Sequence, residues 1–420
     1  MILFRLIAIS ALFLICVFST EATARFADDK YCLVLDHDQP ARQSVFILDE
    51  RDIIPETGKA LSENLPWRRF LLDFLDLKSN EVHQRFAPRE HVTILVARKD
   101  GSGLAQTLAG CLPLYSVEEV AQLREEESSL SVFFGSNKRA EIEDDQETFK
   151  PKLSKALLDS ARLEEQVEGF HSDSFSDSSL IRSLASRPAY EAQWGVPRIF
   201  IYSTSIGVES DIAEFDIPSA REAGFWEAKD ARLNMGGVEL FVIGPKNRDA
   251  GPAQSAFLSA FFLGSQADLR SVTSPSTSLA LSAPPAHVRR FVGEILFAEN
   301  YSYPLRLRMG ADHNGNVVAS WLMLQREGAH WTPVRGVLTC DAREQCNYLN
   351  DGEFAQIWSL MPGGPPELST DLPYAGMRDL SFKIRKRDVE GSISDALAEL
   401  SQSDTNSFTF SLVEQEKANF

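Results

Sequence analysis

From Ser44 to about Val272, short apolar runs alternate with longer amphipathic stretches. VFIL (45–48), HVTILVA (91–97), RIFIYS (198–203) and GVELFVIG (237–244) read as strands. Between them, LPWRRFLLDFLDL (65–77), SSLIRSLAS (178–186) and GPAQSAFLSAFFLGSQA (251–267) read as helices. A strand that is apolar at nearly every position is buried on both faces, and the intervening helices supply the cover. The expected fold is therefore α/β, a doubly wound and mostly parallel sheet. HVTILVA ends in the turn Asp100-Gly101-Ser102-Gly103, and a long acidic, helix-prone insert lies near residues 117–170.

The grammar changes after TSPSTSLALSAPP (273–285), a Ser/Pro-rich break that marks a domain boundary. FVGEILF (291–297), LRLRMG (305–310), NVVASWLMLQ (316–325), VRGVLTC (334–340), AQIWSLM (355–361) and LSFKIRK (380–386) are short strands without comparable helices between them. They predict an antiparallel all-β domain over residues 286–390, sandwich-like or a barrel. The remaining residues, 391–420, offer one short helix, ISDALAEL, and a polar tail expected to be mobile.

The first residues change the picture by adding a destination. MILFRLIAISALFLICVFSTEATA has one cation, Arg5, an apolar stretch from Leu6 to Phe18, and the small-x-small site Ala22-Thr23-Ala24. This is the form of a secretory signal peptide, with a retained anchor as the alternative. Removal of residues 1–24 leaves an α/β domain over 25–272 in a periplasmic or secreted protein. No later segment approaches the ~18 uninterrupted apolar residues of a membrane span. The 60 acids against 42 Lys and Arg, a formal charge of −18, exclude a nucleic-acid groove, which needs clustered positive charge.

Export also decides how the cysteines read. With Cys16 removed, Cys32, Cys111, Cys340 and Cys346 remain, an even set in an oxidising compartment. Cys340 and Cys346 flank the polar loop DAREQ, while Cys32 and Cys111 each border a strand of the first domain. Pairing within each half is the expectation. Zinc is the weaker reading, because there is no CxxC and no histidine at ligand spacing.

Candidate chemistry concentrates at VFILDERDII (45–54), where an apolar run stops at Asp49 and Glu50, Arg51 and Asp52 follow. In open parallel sheets, ligands bind beyond the carboxyl ends of the strands. The loops there are DERD, HSDSFSDSS and STSIG. At about residues 44–272 the order of elements resembles the von Willebrand factor type A (VWA) domain, and more closely a group of exported bacterial VWA-like proteins with a degenerate metal motif. VFILDERD resembles the family's first strand and its Asp-x-Ser-x-Ser loop. Ser178-Ser179-Leu180 with Ser183-Leu184 resembles its Thr-x-Leu-x-x-Ala-Leu helix start. RIFIYSTS resembles the strand that normally ends in Asp, and GVELFVIG with AFLSAFFLGSQA resembles the last strand and helix.

The resemblance implies a metal-ion-dependent adhesion site, in which oxygen ligands hold Mg²⁺ or Ca²⁺. Asp49 keeps the first acid, but Arg51 and Ile53 stand in place of the two serines. Ser178 keeps a hydroxyl at the Thr position, and Thr204 stands where the second Asp would be. Arg51 also brings a guanidinium to the place of the ion, and the two repel. The expectation is a degenerate site without Mg or Ca, with Arg51 paired to Asp49 or Asp211. Asp49, Arg51, Asp52, Ser178 and Thr204 then become contact positions for a protein partner at the cell envelope.

The competing readings are a hydrolase using Asp49, Asp52 and Ser178, and a VWA-like domain that retains a weak Mg or Ca site. His171 sits beside serines, but a base needs reach to the hydroxyl and a third group to orient it, and no GxSxG elbow is present. Asp312-His313-Asn314-Gly315-Asn316 has the start of a calcium loop but reads first as a hairpin turn. Trp321, Trp331 and Trp358 read as sandwich core ahead of a ligand platform. Arg306 and Arg308 share a strand face, either exposed to an acidic partner or balancing the acidic first domain. The favoured function is an exported, non-enzymatic binding and assembly protein.

Overall fold

The computed structural model describes residues 40–53, 65–116, 120–121, 138–160, 180, 183–184, 195–203, 215–231, 233, 235, 238–244, 251–265, 267–273, 279, 281–298, 301–325, 331–334, 337–341, 345–349, 377–385, 387–395 and 407–415. The signal segment, the AQIWSLM run and Trp358 lie outside them.

Strand β1 (Arg42–Asp49) is buried along its whole length and runs parallel to β2 (His91–Ala97) and β4 (Val196–Tyr202) on its two sides. β5 (Glu239–Ile243) and β6 (Asp268–Thr273) continue the sheet in parallel. Alternation divides the side chains between two cores. On one face Phe46, Phe200 and Phe241 stack across neighbouring strands, with ring centroids 4.8 and 5.0 Å apart. Trp67, Leu71 and Phe74 of a helix at Pro66–Phe74 and Phe149, Leu153 and Leu157 of one at Lys138–Ser160 cover that face. On the other, Val45, Ile47, Ile199, Ile201 and Val242 meet helices at Ile217–Asp230 and Gly251–Gly264. These last two helices touch so closely that a Cβ on Gly224 would lie 2.2 Å from the Phe257 carbonyl oxygen. Each large side chain so buried contributes roughly 1.5–3 kcal/mol.

Two features overturn the fold expected from the pattern. First, the six-stranded sheet, of order β3-β2-β1-β4-β5-β6, is mixed: β3 (Leu104–Cys111) returns antiparallel to β2. The Asp100–Gly103 turn is a hairpin, closed by Arg98 N donating to Gly103 O at 3.0 Å, with Gly101 and Gly103 at φ 71° and 140°. Positive φ suits glycine, so the expected Asp-Gly-Ser-Gly turn reverses the chain into a strand that the apolar pattern did not predict.

Second, the described residues of the C-terminal part form no two-layer sandwich. They form one nine-stranded, wholly antiparallel sheet of order β10-β9-β8-β7-β15-β14-β13-β12-β11. The strands are β7 (His287–Ala298), β8 (Tyr301–Ala311), β9 (Val317–Gln325), β10 (Trp331–Val334), β11 (Val337–Cys340), β12 (Gln345–Leu349), β13 (Met377–Arg385), β14 (Asp388–Asp395) and β15 (Ser407–Glu414). β10 and β11 are adjacent in the chain yet lie at opposite ends of this order, so the sheet curls until its edges approach. Gly293 and Gly391 permit the crowding, since a Cβ there would fall 1.9 Å from Ser411 O and 2.4 Å from Ser381 O. The tail expected to be mobile supplies β15, which pairs with β7 and β14 near the centre of the sheet. Its alternating FTFSL places Phe410 and Leu412 in the core and Thr409 and Ser411 outside.

The two sheets meet at the amino end of β4. Gly195, at φ 92° just before that strand, presents its carbonyl to Arg308 Nη1 at 3.1 Å and to Gln43 Nε2 at 3.0 Å. Arg308 is fully buried at this joint, not exposed to a partner. Burial and the like charges of Arg290 and Arg306 push its pKa down to about 9.

Candidate functional site at the carboxyl end of the first sheet

β1 delivers two acids in succession, and each closes on a different neighbouring strand. Asp49 is buried and turns toward the end of β4. Its Oδ1 accepts from Arg51 N at 3.1 Å and Arg51 Nε at 3.0 Å. Its Oδ2 accepts from Arg51 Nη2 at 2.6 Å and from the buried Ser203 Oγ at 2.9 Å. The chain folds this way because a single helical turn, α1 (Glu50–Ile53), starts directly after the strand and brings residue i+2 back over residue i. A guanidinium engaging both carboxylate oxygens is the strong form of this contact.

Glu50, equally buried, turns toward the end of β2. Its Oε1 lies 2.9 Å from Arg98 Nη1 and its Oε2 accepts from Lys99 N at 2.7 Å. Ser183 Oγ donates to Arg98 O at 3.4 Å, tying a helical residue to the same loop. Both cations are one-fifth exposed while both acids are nearly inaccessible. The carboxylates therefore face inward and the guanidiniums outward. Asp52 is half-buried beside Tyr202, whose phenol is pushed up to about 12 by burial and, secondarily, by the Asp52 charge.

This arrangement has chemical consequences. A carboxylate with both oxygens already engaged is a poor general base, and a cation could reach Asp49 only by displacing Arg51. Ser203, one residue before the position matched to the second Asp, supplies the hydroxyl. Ser178, Thr204, Asp211 and His171 lie outside the described residues. Among the described residues no three His, Cys, Asp or Glu side chains cluster as ion ligands. Asp312 caps its hairpin: Oδ1 accepts from Asn314 N and Asn316 N, each at 2.9 Å, and Oδ2 from Asn316 Nδ2 at 3.0 Å. Cys340 and Cys346 are disulfide-bonded; Cys111 is too, and Cys32 lies outside the described residues.

A second polar cluster, which sequence reasoning did not find, sits at the opposite end of the same sheet. Glu90, with no exposure, accepts from Arg42 Nε at 3.1 Å, Arg198 Nη2 at 3.0 Å, Ala87 N at 2.7 Å and the Ser44 hydroxyl. Arg42 Nη2 and Arg198 Nη2 also share the Arg85 carbonyl, each at 2.7 Å. Arg198 lies over the Phe86 and Phe200 rings at 5.2 and 5.1 Å. Burial alone would raise the Glu90 pKa; the Arg198 and Arg42 charges and the Ser44 and Ala87 hydrogen bonds outweigh it and hold the carboxyl below its usual range. Arg198 is itself lowered to about 10, by burial first and then by Arg42. The signal in the sequence was slight, a cation near the start of each of two apolar strands. This cluster has the form of a structural clamp across β1, β2 and β4.

No protein-family model matches the chain, and no curated protein matches it either.

Proposed function

We propose that the chain is an exported, non-enzymatic binding and assembly protein of the cell envelope, acting through the carboxyl end of its first sheet. The observation that carries this reading is the Arg51–Asp49 pair, in which the acid that would anchor a metal or act as a base is already neutralised within the chain. The likeness of VFILDERD and RIFIYSTS to the contact loops of VWA-like proteins supports placing the partner surface at this end of the sheet. The joint with the second domain is at the opposite end, at Gly195, which favours the same surface. Export rests on the signal-like residues 1–24. Among the described residues no helix is long and apolar enough to cross a membrane.

The test uses the mature chain from Arg25. Bound to a resin and exposed to the host envelope fraction, wild type and a Glu294→Lys control retain a partner that Arg51→Glu loses. Calorimetric titration with Mg²⁺ and Ca²⁺ gives no heat of binding. One-to-one ion binding that disappears in Asp49→Ala overturns the proposal.

A further inference from the structure

β11, like β10, is a short edge strand of the second sheet. It forms one end of the nine-stranded order and, among the described residues, pairs only with β12, over four residue pairs from Val337↔Leu349 to Cys340↔Cys346. β12, in contrast, is held on its far side by β13 over five pairs. The other end of the sheet, β10, comes close in space because only residues 335 and 336 separate it from β11, yet the described residues of the two edges do not pair. A short edge strand with one hydrogen-bonded neighbour opens more readily than the strands inside the sheet.

The Cys340–Cys346 disulfide lies directly across the β11–β12 ladder, at its turn end. The turn has its own hydrogen bonds: Asp341 N donates to Gln345 O and Gln345 N to Asp341 Oδ1, both at 2.9 Å. Gln345 Nε2 further donates to Phe382 O at 3.0 Å, fixing the start of β12 to β13. Turn and β12 are thus held without the sulfurs. The covalent bond adds a tie between the loosely held β11 and the firmly held β12. Its two ends differ in access, since Cys340 is partly exposed and Cys346 is buried.

We infer that Cys340–Cys346 is a thiol-responsive latch on the seam of the second domain, closed when oxidised and opening β11 when reduced. A dithiol reductant supplies the two electrons. Its first thiolate attacks Cys340 Sγ, forming a mixed disulfide and releasing the Cys346 thiolate. Its second thiol then displaces Cys340 as a thiolate, leaving the reductant as a disulfide and both cysteines reduced. This inference stands independently of the partner surface on the first sheet.

The test is hydrogen exchange of the full mature chain, comparing the oxidised wild type with Cys340→Ser/Cys346→Ser. The expected result is exchange faster by about tenfold or more in Val337–Cys340, with β13, β14 and the first sheet unchanged. In a dithiothreitol titration with thiol labelling, Cys340 and Cys346 react at lower reductant than the buried Cys111. Unchanged β11 exchange, or acceleration spread over both sheets, overturns the latch. So does labelling of Cys340 and Cys346 only together with Cys111. If the double variant does not fold, exchange and labelling of the wild type in dithiothreitol distinguish the same outcomes.

Discussion

Asp49 and Arg51, two residues apart, close a ring in which one backbone N–H and two guanidinium nitrogens meet a single carboxylate. The acid is almost wholly buried and the cation only one-fifth exposed. Removing one member of such a pair leaves a charge in the interior without its partner. Arg51→Ala should therefore destabilise the first domain by roughly 1–3 kcal/mol, while Asp49→Asn/Arg51→Met costs less than the single change. Urea unfolding of the two variants checks this. A double variant less stable than Arg51→Ala would mean that the pair is not the source of the effect.

At the other end of the sheet, Glu90 serves two buried guanidiniums at once. Glu90→Gln keeps the shape but removes the carboxylate bonded to Arg42 and Arg198. The expected loss is about 3–5 kcal/mol, read from the urea midpoint near neutral pH. The pH dependence has a definite sign. The folded pKa lies below the ordinary carboxylate value of 4.5, so the stabilisation is complete above that value and fades as pH falls through the lower, folded pKa. The Gln variant should lose this acid limb.

How much of this was legible depended on the distance between partners. Apolar runs such as VFIL and RIFIYS exposed the central strands because burial on both faces writes itself into composition. LAQTLAGC did not, since its strand depends on the glycine turn before it. The alternation in the second domain marked strands but not how many sheets they form, because curling is set by where backbones crowd, at Gly293 and Gly391. Asp49–Arg51 was readable because its partners are two residues apart. Glu90 was not: Arg42 and Arg198 lie 48 and 108 residues away. Ser203 was missed by one position, since the matched strand end pointed to Thr204.

His91 provides a separate pH response. Burial holds its pKa at about 4, below the ordinary 6.5, so it stays neutral in the fold. The unfolded chain binds a proton first, and stability is therefore full above pH 6.5 and lost as pH falls toward 4. The loss is roughly 3 kcal/mol across that window. In His91→Gln the urea midpoint should vary much less between these limits. An unchanged pH profile would assign the slope to other groups.

The joint between the two sheets can be tested at Gly195. Its φ of 92° is one that side-chain-bearing residues rarely adopt, and a Cβ would stand 2.5 Å from Pro40 O and 2.6 Å from Ala41 O. Both obstacles are backbone, so no rotamer change relieves the clash. Gly195→Ala must shift the chain just before β4, and with it the carbonyl shared by Arg308 and Gln43. Arg308 is buried beside Arg290 and Arg306, so losing that acceptor exposes the joint to like-charge repulsion. The expected cost is about 1–3 kcal/mol, with hydrogen exchange rising first in β8 and at the start of β4. Exchange that rises instead around Asp49, with β8 unchanged, would show that the joint does not depend on this carbonyl.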